Sequence, residues 1–254
     1  MTTVAVLADP PGETDALARL VERGVLEAEA ATALYTATLR DACVAVERSG
    51  GDLLVNYRVP DGLEDDVAKE SVASALEPAL DDPDGARYEV QVGSTRSARV
   101  GNTVTHLLEQ EGVRTAAVVD ATVALLERRH VDSAAMKLRG DEVVLGPTPG
   151  GEVWYAGFAE PVDFADALAA PALRTLTERA TAGESGVDFL ESLPRVSDPA
   201  GLASAVVLTR TRQLAGKPVP EHTAECIADL DLNVDADADA GGLRVHTGRD
   251  TDRS

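Results

Sequence analysis

The chain has 254 residues and a formal net charge of −21 at pH 7, with 44 acidic residues against 23 basic ones. Hydrophobic residues make up 44% of the chain, which is ordinary for a globular protein, and no apolar run approaches the roughly 20 residues that span a bilayer. A surface this acidic argues against a nucleic-acid partner, because no basic stripe offsets the repulsion of the phosphates.

The composition indicates the solvent in which the protein works. Aromatic residues make up just 3% of the chain and three lysines occur, at Lys69, Lys137 and Lys217. An acidic surface stays hydrated in concentrated salt, where charges are screened within a few ångströms. We therefore predict a cytoplasmic protein of a halophilic archaeon, without a signal peptide and without membrane association. The two cysteines have neither metal-binding nor redox spacing.

Short Val-rich runs alternate with longer amphipathic stretches over the first half of the chain. Strands are predicted at Val4–Leu7, Leu53–Tyr57, Tyr88–Val92 and Ala116–Val119, and helices at Glu27–Arg48, Glu64–Leu80 and Ala98–Gln110. This alternation favours a parallel sheet that is covered by helices on both faces.

The alternation changes after Asp120. Two strand-like runs, Asp141–Leu145 and Val153–Phe158, are separated by a Pro/Gly turn that leaves no room for a crossover helix. They can pair as antiparallel neighbours or join the sheet through an irregular loop. The fold prediction is therefore an α/β protein with a mostly parallel three-layer sheet and a late antiparallel strand.

The last third of the chain is predicted to be helical until an acidic end. The candidate helices are Phe164–Leu168, Ala172–Thr181, Val187–Leu193, Pro199–Leu214, which has Asp198 as its N-cap, and Pro220–Leu230. From Asp231 the sequence is acidic and contains little to bury, so we predict a disordered tail. The domain prediction is thus a single domain over residues 1–230 and a tail over 231–254.

Four segments are predicted to reach the carboxyl ends of the strands, where open α/β sheets bind their ligands. They are Pro11-Gly12 with the following Arg19, the loop from Gly93 to Arg99, Asp120, and the turn from Thr148 to Glu152.

Three local motifs resemble a known family, over roughly residues 3 to 215. They are Pro11-Gly12 with Arg19-Leu20 and Ala33-Leu34-Tyr35, then Val118-Val119-Asp120, and then Glu142-Val143-Val144-Leu145-Gly146-Pro147. The chain looks like the glycosyltransferase-A-like domains called selenodomain-associated transferases. These are relatives of the molybdenum-cofactor guanylyltransferases and of 2-phospho-lactate guanylyltransferase.

The resemblance implies the fold of the nucleotide-diphospho-sugar transferases and a nucleotide or nucleotide-sugar partner bound with Mg²⁺ at the strand ends. Hard cations prefer oxygen ligands, and phosphates pair with basic side chains. The resemblance and the strand-end positions together give the candidate residues: Pro11, Gly12, Arg19, Arg96 and Arg99 for the nucleotide, Gly150, Gly151, Glu152 and Trp154 for the substrate, and Asp120 and Asp198 for the metal.

The sequence departs from the family pattern at several of these positions. The early loop lacks a lysine before Arg19, Asp120 is not followed by Ser-Pro, and the acid before Gly150-Gly151 is absent. The acid of a late Val-Asp-Thr-Pro motif is shifted by one residue, to Asp198. Two hypotheses follow: a nucleotide-dependent transferase of glycosyl or nucleotidyl groups, or a non-catalytic relative that binds a nucleotide or a protein partner.

Each candidate residue also has a structural alternative. Asp120 and Asp198 can cap the helices that follow them, Gly150-Gly151 can form a hairpin turn, and the arginines can pair with surface acids. Trp154 and Tyr155 face opposite sides of their strand, so one is expected in the core and the other can stack on a base or sugar.

Overall fold

The structure is a computed structural model that describes residues 2–13, 16–169, 171–237 and 242–248. It contains a main sheet of seven strands and a separate pair of strands later in the chain. The strands of the main sheet are β1 Thr2–Ala8, β2 Asp52–Tyr57, β3 Arg87–Val90, β4 Thr115–Asp120, β5 Val143–Pro147, β6 Val153–Phe158 and β7 Val187–Phe189.

The strand order across the main sheet is β3-β2-β1-β4-β6-β5-β7. Strands β1, β2, β3 and β4 pair in parallel, as do β5 and β7. Strand β6 runs antiparallel to both of its neighbours, β4 and β5. The predicted fold class, a mostly parallel α/β sheet with a late antiparallel strand, is therefore confirmed.

Eight α-helices surround the sheet within the described residues. They are α1 Ala18–Glu22, α2 Ala28–Glu47, α3 Asp65–Leu76, α4 Arg96–Thr105, α5 Arg128–Lys137, α6 Ala172–Ala182, α7 Pro199–Leu214 and α8 Glu221–Asp229. Helix α4 continues into a π-helical turn over His106–Gln110. Within the residues that the structure describes, no helix is both long and apolar enough to cross a membrane.

Both faces of the central strands are buried, which explains their nearly continuous apolar sequence. Val4, Val6 and Val119 belong to a core that includes buried residues of α2, α3, α5 and α7. Ala5 and Val118, which alternate with them, belong to a second core with α4 and α6. The sheet thus forms the middle of three layers, and its strand ends remain available at one edge.

Two short segments predicted as helices do not form them. Val187–Phe189 is the edge strand β7, which pairs in parallel with β5, and Phe164–Leu168 forms turns. Phe164 packs against Phe158 with 5.1 Å between the ring centroids. A short apolar run is compatible with either a helix or a buried strand, and here pairing with β5 and packing against β6 decide the outcome.

The predicted disordered tail needs a correction over part of its length. Leu232–Asp237 (β8) and Gly242–Thr247 (β9) form an antiparallel hairpin that packs against α7. Leu232 is fully buried and Val245 is 7% exposed, so apolar residues that alternate with the acids anchor the hairpin. Residues 238–241 and 249–254 of the predicted tail lie outside the described residues.

Candidate functional site

Asp120 ends β4 in the middle of the sheet and is 5% exposed. Its Oδ1 accepts hydrogen bonds from the backbone N–H of Thr122 at 2.8 Å and from the Thr122 hydroxyl at 2.6 Å. Its Oδ2 accepts from Arg96 Nη2 at 2.5 Å and lies 3.0 Å from Arg195 Nη2. Both carboxylate oxygens are therefore engaged by protein donors, two of which are guanidinium groups.

These partners keep Asp120 ionised. Burial by itself would raise the pKa of the carboxyl group, but the charges of Arg195 and Arg96 and the bonds from Thr122 outweigh it and hold the pKa well below its usual range. The negative charge of Asp120 in turn raises the pKa of Arg96. At neutral pH the cluster therefore consists of one carboxylate and two guanidinium groups.

Arg195 is the site residue that the sequence reasoning missed. It lies in the segment before α7, where an isolated bridge pairs it with Val123 and where Val196 N donates to Thr122 O at 2.9 Å. Its Nε donates to Thr122 Oγ1 at 3.1 Å, and its side chain is 15% exposed. The signal that could have found it is its position in the sequence, three residues before Asp198, which is a candidate metal ligand.

Asp198 is the N-cap of α7. Its Oδ1 accepts from Ala200 N and from Gly201 N, each at 3.0 Å. Gly201 allows a close approach, because a Cβ there would lie 1.9 Å from Arg195 O. The structural alternative for Asp198 is thus confirmed, whereas its metal-binding role stays a prediction.

A second group of charges lies at the carboxyl ends of β1 and β2. Arg58, which follows β2, forms an ion pair with Asp9, which follows β1. Arg99 Nε donates to Gln91 Oε1 at 2.9 Å. Burial and the positive charges of Arg58 and Arg96 lower the pKa of Arg99 and outweigh the attraction of Asp9. The positive charges of these arginines can attract an anion.

The loop before α4 places Arg96 and Arg99 at this edge. Thr95 is the N-cap of α4, and its Oγ1 accepts from Ala98 N at 3.1 Å. Gly93 has a φ of +138°, and a Cβ at this position would lie 2.8 Å from Arg99 N. A glycine therefore allows the loop to approach the first turn of the helix that carries both arginines.

Two adjacent cavities contain these groups. The smaller, of about 90 Å³, is lined by Asp9, Arg96, Arg99, Asp120 and Arg195 among others. The larger is a crevice of about 590 Å³, which we call the Arg195 crevice. It lies between α1, the β5–β6 loop and the start of α7, and its lining includes Arg19, Gly150, Glu152, Arg195 and Asp198. Arg195 lines both cavities.

The β5–β6 loop forms a tight turn beside the crevice. Gly151 has a φ of +78°, its N–H donates to Thr148 O at 3.1 Å, and Thr148 N donates to Glu152 O at 2.9 Å. Gly150 and Glu152 line the crevice, whereas Gly151 does not appear in its wall. The glycines therefore form the turn that the sequence allowed, and this turn places Glu152 opposite Arg195.

Pro11 and Gly12 lie outside both cavities. Gly12 lines a separate cavity of about 140 Å³ between α1 and α2, and the Pro11 carbonyl accepts from Ser71 Oγ at 3.2 Å. The structure therefore brings Arg96 and Arg99 together with Asp120 at the smaller cavity, places Arg19 in the adjacent Arg195 crevice, and leaves the Pro-Gly turn to one side. A nucleotide-binding role for Pro11 and Gly12 stays a prediction.

Trp154 requires a correction, because it lies in the core and cannot stack on a substrate. Its side chain is 1% exposed, and its Nε1 donates to Glu191 O at 3.1 Å. The ring covers Gly146, where a Cβ would lie 2.4 Å from it. Tyr155 is also 1% exposed, and its ring centroid lies 5.7 Å from that of Trp154 in the same core. The expectation that the two residues face opposite sides of the strand is therefore wrong, because the pairing of β5 and β6 is irregular at Gly146 and Pro147. Neither of the two aromatic residues is therefore available to a base or sugar.

The groups around Asp120 do not fit a divalent cation. A hard cation needs free carboxylate oxygens, but those of Asp120 already accept hydrogen bonds from protein donors, and the two guanidinium groups would repel the ion. Elsewhere in the described residues, Glu89, His106 and Glu111 present ligand atoms within 4.8 Å of one another. Arg87 pairs with both of these glutamates and so offsets the negative charge that would attract a cation.

No protein-family model and no curated protein matches the sequence. Among solved structures, the chain is similar to a protein from Desulfovibrio desulfuricans G20 that is provisionally described as a nucleotide-diphospho-sugar transferase. The TM-score is 0.74 at 18% identity, over 91% of this chain and 95% of that chain. At this identity the likeness shows the fold alone, which is of the nucleotide-diphospho-sugar transferase (glycosyltransferase-A-like) type.

Two more distant structures show weaker similarity and carry no argument about this chain. Glucosyl-3-phosphoglycerate synthase from Mycobacterium tuberculosis, in complex with Mn²⁺, UDP and phosphoglyceric acid, has a TM-score of 0.47 at 11% identity, over 97% of this chain and 86% of that one. A mannosyltransferase from Pyrobaculum calidifontis, in complex with GDP-Man and Mn²⁺, has a TM-score of 0.45 at 10% identity, over 89% and 68%.

Proposed function

We propose that this protein is a nucleotide-dependent transferase of glycosyl or nucleotidyl groups that binds the phosphates of its donor in the Arg195 crevice and the smaller cavity beside it. The observation that carries the proposal is the gathering of four arginines at the strand ends of a chain whose net charge is −21: Arg19, Arg96, Arg99 and Arg195. The fold supports it, because open α/β sheets bind their ligands at this edge.

Two of the four arginines have a charge that no described carboxylate pairs with directly. Arg96 and Arg195 share the carboxylate of Asp120, whereas Arg19 and Arg99 form no ion pair with any residue that the structure describes. Arginine matches phosphate oxygens with a planar fork of donors and keeps its charge at all relevant pH values. A phosphate in the smaller cavity, which Arg99 lines, would also relieve the crowding that lowers the pKa of Arg99.

The dimensions of the crevice suit a nucleotide. Its volume of about 590 Å³ lies within the range of small-molecule sites, which is roughly 300–1,000 Å³. The first free N–H groups of α7 do not serve the ligand, because Ala200 N and Gly201 N already donate to Asp198. Charged side chains therefore supply the contacts to the phosphates.

The arrangement suits either kind of transfer. In both, the bond that breaks leaves negative charge on a phosphate group, a nucleoside diphosphate in glycosyl transfer or a pyrophosphate in nucleotidyl transfer. Fixed guanidinium groups such as Arg195 stabilise charge that develops there. Glu152 lines the crevice without a side-chain hydrogen bond to a described residue, so it is our candidate to hold the acceptor. No step passes through Mg²⁺ at Asp120, because that site does not fit a cation.

Calorimetry in concentrated KCl tests the proposal, with CTP, GTP and UDP-glucose as titrants. We expect saturable binding of at least one of them and a loss of affinity in a double variant that carries Arg19→Ala and Arg99→Ala. Arg174→Ala is the matched control, because Arg174 pairs with Glu178 on the surface of α6, outside the crevice. Absence of binding at millimolar concentrations would refute the proposal, and binding without hydrolysis or transfer would favour the non-catalytic alternative.

A further inference from the structure

We infer that the guanidinium group of Arg195 takes the place of a divalent cation in this crevice, so that the protein binds nucleotide phosphates without a metal ion. The inference rests on the proposed function, since it concerns how the same crevice holds its nucleotide. It is carried by the position of Arg195 between Asp120 and Glu152 and by the bonds that fix it there.

Arg195 lies between two carboxylates at the junction of the two cavities. Its Nη2 is 3.0 Å from Asp120 Oδ2, and its Nη1 is 3.7 Å from Glu152 Oε2. A cation bridging the same two carboxylates would have to occupy this space. The guanidinium group and the cation therefore exclude each other.

The guanidinium group is held in place by the protein itself. Its Nε donates to Thr122 Oγ1, and the same hydroxyl donates to Asp120 Oδ1. The backbone around it is fixed by bonds of 2.9 Å from Ala124 N to Pro194 O and from Val196 N to Thr122 O. Displacing Arg195 to admit a cation would break this network.

Arg195 also keeps donors for a ligand. An arginine has five N–H groups, and the described partners use the one on Nε and one on Nη2. The distance of 3.7 Å from Nη1 to Glu152 is too long for a direct hydrogen bond. The N–H groups of Nη1 can therefore donate to a phosphate oxygen in the crevice that Arg195 lines.

The two carboxylates beside Arg195 are already balanced in charge by two guanidinium groups, without a metal. Asp120 and Glu152 contribute two negative charges, and Arg96 and Arg195 contribute two positive charges. One divalent cation between two carboxylates would give the same sum. A cation added to the existing cluster would leave uncompensated positive charge beside Asp120, which is buried, and such charge is costly there.

The wild-type protein provides the first test. CTP, GTP and UDP-glucose are titrated in concentrated KCl, once with excess EDTA and once with MgCl₂. We expect the dissociation constants under the two conditions to agree within about twofold. Binding that requires Mg²⁺ would overturn the inference and leave the proposed function standing. Absence of binding under both conditions would refute the proposed function itself.

Two variants test whether Arg195 is the residue that binds the phosphates without a metal ion. Arg195→Gln should raise the dissociation constant in EDTA by about 10- to 100-fold, the value of a charge-assisted hydrogen bond. Arg195→Lys should fall between this variant and wild type, because it keeps the charge but loses the fork. Affinity unchanged by Arg195→Gln, in protein whose thermal unfolding shows that it is folded, would overturn the assignment of Arg195.

Glu152→Gln gives an independent readout should both Arg195 variants fail to fold. Glu152 has a side chain that is 36% exposed, so its replacement is expected to leave the fold intact. If Arg195 stands in for the cation, this variant should tighten nucleotide binding, because it removes negative charge near the phosphates. If a metal ion holds the phosphates, the variant should weaken binding and reduce the response to Mg²⁺, which would overturn the inference.

Discussion

Asp120→Asn tests whether this carboxylate anchors the arginine cluster. The substitution preserves the volume of the side chain but removes its charge and one of its acceptor oxygens. Arg96 donates to Oδ2 and Arg195 forms an ion pair with it, and removing one partner of a buried ion pair costs about 3–5 kcal/mol. Because the Arg96 side chain is 43% exposed, water can replace part of its interaction, and we expect a loss of about 3 kcal/mol.

Denaturant unfolding in KCl measures this loss as a shift of the midpoint with an unchanged slope. For a chain of this size, about 3 kcal/mol corresponds to a fall of roughly 6–12 °C in Tm. Asp188→Asn is the control, because Asp188 pairs with Lys137 at the surface, where an ion pair contributes less than about 1 kcal/mol. An Asp120→Asn protein as stable as wild type would refute the reasoning.

The same variant should change how stability depends on pH. The pKa of Asp120 is lower in the folded protein than in the unfolded chain, where an aspartate has a pKa of about 3.9. Its contribution is therefore fully present above that pH and is lost as the pH falls through the folded-state pKa. The stability difference between wild type and Asp120→Asn should shrink in acid, and a difference that stays constant would contradict this assignment.

Three further predictions concern the scaffold. Trp154 is the chain's one tryptophan, and its burial predicts blue-shifted emission that acrylamide quenches weakly; strong quenching would show an exposed ring. Gly201→Ala should cost about 1–3 kcal/mol and weaken nucleotide binding, because its Cβ would meet the carbonyl of Arg195. Gly140→Ala is the control, because a Cβ at this position would lie 3.8 Å from the nearest atom, and equal stability of the two variants would contradict the prediction. Leu232→Ala should cost about 2–5 kcal/mol in denaturant unfolding, and a negligible loss would show that the hairpin does not anchor to the domain.

The order of the fold could be predicted because the central strands and long helices carry strong local patterns. Helix α2 falls within one residue of its predicted ends, and α7 and β6 match their predicted bounds. The edge strand β7 could not be predicted, because its three residues gain their conformation from pairing with β5. The hairpin of β8 and β9 could not be predicted either, because its few buried residues alternate with acidic ones in a segment that is acidic overall.

The site could be predicted as far as it depends on the ends of predicted elements. Asp120 and Arg96 follow recognisable strand and loop patterns, and the structure brings them into contact. Arg195 reaches the same carboxylate from a segment far along the chain, and tertiary packing of the loop before α7 alone brings it there. The burial of Trp154 likewise depends on Gly146 in the adjacent strand, and the sequence alone does not reveal that these two residues are in contact.

The most direct test of the account is a crystal structure of the protein with the tightest-binding of CTP, GTP and UDP-glucose, grown in the presence of MnCl₂. We expect phosphate oxygens within hydrogen-bonding distance of Arg195 in the crevice and no anomalous manganese peak at Asp120. A manganese ion coordinated by Asp120, with Arg195 turned away from it, would contradict the account.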